Sequence, residues 1–318
     1  MAEKRIGDGG FADAFVAPGA GSNKRLERIE GLFKWRRFER LLKPVRSEIG
    51  RRGYPALALF KATLLQQWYG LSDPGLEEAL GDRLSFRRFC GFSLADATPD
   101  ETTFVRFRSA LVERGLAEKL LAETNRQLEA RGLVLKTGTL IDASLVEAGV
   151  ARPPGRSGER SRLDPDADWP RRGRASHFGY KAHVAVDEGS GLIRDAELTS
   201  AKTSESEAAD DLIQGDEGAV YADKAYENKH RRRRLKAAGI KDRIMHRANK
   251  HQPVLPHWQR VRNRLIGPIR ANVERLFGTM KRSYGYRRVR YRGLEKNRAH
   301  LHLLCIAINL RRAEVLAP

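Results

Sequence analysis

The chain has 318 residues, enough for a sizeable core and two domains, and its 41% hydrophobic and 31% charged residues give the balance of a soluble globular protein. A formal net charge of +20 and a pI of about 10.3 point to an anionic partner. Two well-separated cysteines, Cys90 and Cys305, exclude a disulfide framework and a zinc site; without an apolar signal stretch after Met1 or any run near ~20 apolar residues, the chain is expected to be cytoplasmic and neither exported nor in a membrane.

Residues 1–24 are rich in Gly and Ala and read as a mobile arm. Residues 25–132 carry helical patterning and read as an all-helical domain. Phe33, Phe38, Leu41 and Leu42 open it, residues 56–69 form an almost wholly apolar helix, and Gly70-Leu71-Ser72-Asp73-Pro74 stops that helix and caps the next. Short helices follow at 76–80, 86–89 and 98–108, each behind a Ser, Thr or Asp start signal. The last resembles the second helix of a helix-turn-helix, with Arg106 and Arg108 offered to DNA. The same pattern also fits a plain helical bundle with those arginines in solvent.

Near Leu133 the period changes, and residues 133–318 read as an α/β domain. Residues 134–145 predict a strand that ends in an acid, Asp142. Residues 149–174, dense in Arg, Pro, Gly and Asp around Trp169, predict a loop that orders on a partner. Residues 180–187 and 192–198 alternate around Glu188-Gly189-Ser190-Gly191 and predict a hairpin. An acidic helix at 204–214 precedes a strand at 218–223, which again ends in an acid, Asp223. A basic helix (230–238), a strand (240–246) and a basic irregular segment to Gly267 follow. Pro268 then opens a helix with Ile269, Val273, Leu276, Phe277 and Met280 on one face, and an apolar helix spans 294–315.

From Asn228 to Arg292 there are 21 Lys and Arg against two acids, Asp242 and Glu274. Such a surface suits a nucleic-acid backbone, because each neutralised phosphate releases counterions. Glu274 opposes that binding unless it does something else. Arg270, Glu274 and Lys281, at i−4, i and i+7, project from one side of their helix. The element order makes the first and fourth strands neighbours in a mixed five-stranded sheet, with Asp142 and Asp223 side by side at strand ends and Glu274 brought to them by a packed helix. Three carboxylates converging without a cation to neutralise them favour hard Mg²⁺, and a pair of such ions drives in-line phosphodiester hydrolysis or exchange. An isolated Asp at a strand end is ordinarily a cap; the order of all three acids is what points to a site.

Thr139-Leu140-Ile141-Asp142-Ala143-Ser144, the stretch from Gly179 to Asp187, Tyr221-Ala222-Asp223-Lys224-Ala225-Tyr226 and the stretch from Arg270 to Lys281 resemble a bacterial DDE transposase of the insertion-sequence-five group, in the transposase family 11 class. The likeness covers roughly residues 35–314, including Phe60-Lys61-Ala62 and Leu84-Ser85-Phe86-Arg87-Arg88-Phe89-Cys90-Gly91 of that group's helical domain. It implies an RNase H-like catalytic domain and Mg²⁺-dependent cleavage and strand transfer at transposon ends, with Asp142, Asp223 and Glu274 holding two Mg²⁺ ions for which Mn²⁺ substitutes. The implied partners are double-stranded DNA, both transposon ends and target, and further copies of the chain assembled on DNA. The implied place is the bacterial nucleoid. The group's signature around the glutamate is Tyr, two residues, Arg, three residues, Glu, six residues, Lys; Arg270, Glu274 and Lys281 fit it, with Arg270 and Lys281 as phosphate contacts, while Gly267 stands at the Tyr position.

Further residues keep two readings each. His183 touches the scissile phosphate or is structural; Lys224 and Tyr226 hold flanking phosphates or cap a strand; Arg231 to Arg234 form a DNA face or a solvated one. Two rival functions are an RNase H-fold nuclease without strand transfer, which would not need the helical domain, and a DNA-binding regulator, which would not need three acids.

Overall fold

Apolar residues spaced three and four apart build the helices of the N-terminal half in the computed structural model, which describes residues 3–17, 19–45, 53–153, 161–170, 177–248, 250 and 252–317. These fall into two units, Met1–Gln127 with His302–Pro318, and Leu128–Leu301. The first unit holds α1 (Lys24–Leu32), α2 (Trp35–Leu42), α3 (Ala56–Tyr69), α4 (Asp73–Asp82), α5 (Leu84–Cys90), α6 (Glu101–Glu113) and most of α7 (Leu116–Glu129). Phe38, Phe60, Leu64, Leu65, Leu76, Phe86 and Phe104 are fully buried at its centre. From Ala58 to Trp68 every residue of α3 is buried, so its polar side chains need partners. Lys61 Nζ lies 2.8 Å from both Glu30 oxygens, and Gln66 Nε2 donates to Asp73 Oδ1 at 2.7 Å.

The N-terminal arm has fixed partners within this unit. Gly7 N donates to Asp96 Oδ2 (2.7 Å), Leu94 N to Asp13 Oδ1 (3.1 Å), and Lys4 Nζ stands 3.7 Å from the Tyr54 ring centre. Gly and Ala content hid this, because a few polar anchors suffice to seat an otherwise featureless segment.

The second unit is built on a five-stranded sheet of order β3-β2-β1-β4-β5, with strands β1 (Thr139–Glu147), β2 (Gly179–Asp187), β3 (Ile193–Ser200), β4 (Ala219–Ala222) and β5 (Lys241–Ile244). Strands β1 to β3 are antiparallel in sequence, whereas β4 runs parallel to β1 and β5 parallel to β4. This is the mixed, RNase H-like sheet expected from the sequence. One apolar cluster gathers Ile141, Ala185, Val220, Ala222, Tyr226, Leu235 and Ile244, with Leu235 supplied by α9 (Lys229–Ala237). Helix α10 (His257–Ser283) packs on β1 and β4. Helix α11 (Leu294–Leu316) begins in this unit and ends in the first.

Three elements differ from the sequence reading. Helix α10 starts at His257 and carries Pro268 inside it, where a first-turn position was expected. Proline removes the bond to the carbonyl four residues back, Arg264, but Arg264 and Pro268 are both exposed, so water can satisfy that carbonyl. The acidic helix shrinks to the single turn α8 (Glu205–Ala208), whose Ser204 makes no side-chain cap. Strand β1 runs past Asp142 to Glu147, because β2 pairs with it over that whole length.

In the long loop, residues 154–160 and 171–176 lie outside the described residues. The stretch between them is held within the second unit. Tyr180 Oη donates to Asp164 Oδ1 (2.6 Å), Leu294 N to Asp166 Oδ2 (2.9 Å), and the Trp169 ring lies tilted against that of Phe178, 5.3 Å between centres.

Candidate active site

The register of two parallel strands positions the first two acids. The β1–β4 pairing ends at Ile141 opposite Ala222, so Asp142 and Asp223 are each the next residue along, on strands about 4.8 Å apart. Asp142 Oδ1 accepts from Ala143 N (2.9 Å), and Oδ2 lies 3.2 Å from Arg270 Nη2. Burial pushes the Asp142 carboxyl up to about 6; Arg270 and the Ala143 amide oppose the shift, and the Glu205 and Asp223 carboxylates add to it. Asp223 is half-buried and caps the 3-10 turn Lys224–Tyr226, accepting from Lys224 N.

Glu274 is exposed on α10, one turn beyond Arg270. Among the described residues no three His, Cys, Asp or Glu side chains stand close enough to hold a metal ion between them. The donor chemistry still suits a hard divalent cation: all candidates are carboxylate oxygens, and Asp142 sits in a field of like charge that one cation relieves. The absence of cationic neutralisation expected from sequence is not what the structure has, because Arg270 provides that neutralisation.

Arg270 is therefore buried against Asp142, its Nη1 also 3.8 Å from Met245 Sδ, rather than facing outward for phosphate. Lys281, two turns beyond Glu274, is half-buried, and burial followed by the charge of Arg287 draws its pKa down. Lys224 is exposed beside Asp223. His183 is fully buried, its Nε2 2.9 Å from Thr199 Oγ1, on the sheet face opposite to Asp142, whose β2 partner is Val184. Burial, then Lys181, takes its pKa down to about 3, and as placed it offers no nitrogen to a phosphate.

In the helical unit Arg106 is exposed, whereas Arg108 makes a two-pronged ion pair with Asp73 (2.8 and 2.6 Å). The arginine run of α9 is mostly paired with acids, two of its members inward of the surface and Arg234 on the surface. Arg231 is buried on Asp210 (2.8 Å), Arg232 pairs with Asp242 (2.5 Å), and Arg234 with Asp210 (2.7 Å); Arg233 is exposed.

Glu205 joins the site without having been read there from sequence, and Tyr226, read as a flanking-phosphate contact or a strand cap, does so as a buried hydroxyl. Glu205 opens α8 with its Oε1 3.6 Å from Lys181 Nζ. Tyr226 is fully buried, its hydroxyl without a hydrogen-bond partner. Burial raises its pKa well above the ordinary value, and the charges of Asp142, Glu205 and Asp223 add to this. The only sequence signal for Glu205 was adjacency, since it follows β3 closely.

Residues 135–310, more than half of the chain, match the family model described as transposase DDE domain, and residues 18–110 match a second model described as transposase domain (DUF772). Among solved structures, the piggyBac transposase in a synaptic complex with hairpin DNA aligns at a TM-score of 0.44 and 13% identity, over 89% of this chain and 71% of that one. Among the described residues no helix is long and apolar enough to cross a membrane.

Proposed function

We propose, for a chain that belongs to the transposase DDE-domain family, that it binds the terminal inverted repeats of its own insertion sequence, as in the insertion-sequence-five group, and cuts and joins DNA there with Mg²⁺. The observation that carries this reading is the parallel β1–β4 register, which sets Asp142 and Asp223 at adjacent positions beside the basic helix α10. Asp142, Asp223 and Glu274 would hold the cation. When bound, a pair of divalent ions lowers the pKa of an attacking water or 3′-hydroxyl and stabilises the leaving oxygen.

The remaining work falls to the chain's own groups. Arg270, one turn from Glu274, reaches for a phosphate oxygen once its hold on Asp142 is relieved, and Lys281 grips the backbone further along the same helix. The helical unit reads the end sequence through base edges, Arg106 among its exposed cations, while the basic C-terminal half supplies the sequence-independent grip. Copies of the chain assemble on paired ends.

A hydrolysing nuclease of the same fold would use the same acids and differ only in the nucleophile. Incubating labelled element ends with target DNA separates the two. Joined products in Mg²⁺, lost on Asp142→Asn or Asp223→Asn, are expected. Cleavage without any joining product favours the nuclease, and full cleavage in EDTA defeats both.

A further inference from the structure

We propose that Glu205 is a fourth carboxylate of this site and that, together with the Tyr226 hydroxyl, it positions the divalent cation through that cation's water ligands. The proposal rests on the reading of Asp142 and Asp223 as metal-holding residues.

The fold brings Glu205 there by a short route. Strand β3 ends at Ser200, and α8 begins five residues later and packs on the turn that bears Tyr226. Lys181 fixes this junction by donating to Thr203 O at 2.9 Å and standing 3.6 Å from Glu205 Oε1. A single lysine thus holds both the start of α8 and the carboxylate on its first turn.

Tyr226 supplies an independent observation. Its ring packs in the cluster that contains Ile141 and Ala222, the residues immediately before Asp142 and Asp223. Its hydroxyl is buried and makes no hydrogen bond. Of the surrounding charges Asp142 acts on that hydroxyl most strongly, followed by Glu205, Arg270 and Asp223. A buried hydroxyl with no partner is worse than the phenylalanine that could replace it, unless the site in use supplies an acceptor. Mg²⁺ sheds its water reluctantly and keeps several ligands of that kind, which leaves room for a carboxylate and a hydroxyl one water away from the ion.

The test measures Mn²⁺ binding to the full-length protein without DNA, by titration with electron paramagnetic resonance detection, alongside thermal melts in EDTA. Glu205→Gln and Tyr226→Phe are each expected to weaken Mn²⁺ binding about ten- to hundredfold. Glu205→Asp should recover part of that loss, and Glu205→Gln should melt in EDTA no lower than wild type, because a repelling charge has gone. If Glu205→Gln and Tyr226→Phe bind Mn²⁺ as wild type does while Asp142→Asn has lost it, the proposal is overturned and the function reading stands. A low EDTA melt for Glu205→Gln with unchanged Mn²⁺ affinity in Glu205→Asp reduces Glu205 to a structural partner of Lys181. Wild-type Mn²⁺ affinity in Asp142→Asn removes the metal reading itself.

Discussion

Arg270 sets Nη2 of its guanidinium 3.2 Å from Oδ2 of Asp142, with both side chains largely buried. On the proposed reading of Asp142 as a metal-holding residue, this guanidinium and a divalent cation would compete for one carboxylate until DNA offers Arg270 a phosphate. Arg270→Ala is expected to raise Mn²⁺ affinity several-fold in DNA-free protein and to abolish the further gain that end DNA gives the wild type. It should also weaken DNA binding and flatten the salt dependence by about one phosphate contact. Mn²⁺ titrations with and without end DNA check it; equal affinities for mutant and wild type in the absence of DNA would end the competition argument.

Asp142 predicts a pH dependence of stability. Its carboxyl stands at about 6 in the folded chain against an ordinary 3.8. Between those values the folded chain keeps a proton that the unfolded chain has released, so stability falls as pH rises through that window and levels off above it. Asp142→Asn is expected to stabilise the metal-free protein by roughly 1 to 3 kcal/mol at pH 7, with the gain shrinking towards pH 4. Denaturant melts in EDTA at both pH values measure this. Catalysis runs the other way: its acid limb should lie near pH 6 and move lower as Mg²⁺ rises, since cation and proton compete for one carboxylate.

Much of the second unit could be read from the chain because its signals are local. Period-two alternation and the turn at Glu188 to Gly191 give β2 and β3, and Asp223 directly follows the end of β4 as read; Asp142, read as a strand end, instead lies inside β1, where only the pairing with β4 stops. What stayed hidden depends on partners distant in sequence. The run from Arg231 to Arg234 looks like a phosphate face until the fold brings Asp210 and Asp242 onto it. Gly267-Pro268 reads as a helix start, whereas α10 runs through it with Arg264 and Pro268 both exposed. Glu205 gains its place from a one-turn helix seated on the Tyr226 turn, a packing that no periodicity records.

Glu274 separates chemistry from binding. It is exposed on a basic helix, so Glu274→Gln removes a charge that repels DNA and disturbs no buried contact. Cleavage and joining are expected to fall by orders of magnitude, with DNA affinity kept or raised in metal-free buffer. Gel-shift and cleavage assays on one preparation check both, and wild-type cleavage by the mutant would take Glu274 out of the site.

Arg106 and Arg108, two residues apart on α6, should respond differently to truncation. Arg108→Ala strips Asp73 of a two-pronged partner and is expected to destabilise the protein by roughly 1 to 3 kcal/mol. Arg106→Ala removes an exposed cation and should leave the melting temperature unchanged while reducing the salt slope of end binding by about one. Equal melts for the two variants would contradict the ion-pair assignment.

Gly267 occupies the position where the signature resembled above has tyrosine, in the interior of α10 and three residues before Arg270. Apart from its own chain neighbours Ile266 and Pro268, an added Cβ there has nothing within 4 Å. Glycine inside a helix ordinarily costs about 0.5 to 1 kcal/mol relative to alanine, but Pro268 disfavours the helical region for a preceding residue with a Cβ, so Gly267→Ala should gain less than that and Gly267→Tyr less still. Beyond stability, the phenol adds a hydrogen-bonding group one turn ahead of Arg270, on the helix proposed to grip the backbone. Comparing Gly267→Tyr with Gly267→Phe isolates the hydroxyl: tighter end binding or faster cleavage by the tyrosine variant alone is the expected outcome. If both aromatic variants bind and cleave like Gly267→Ala, the position has no contact with DNA, and glycine there reflects nothing more than the absence of a neighbour.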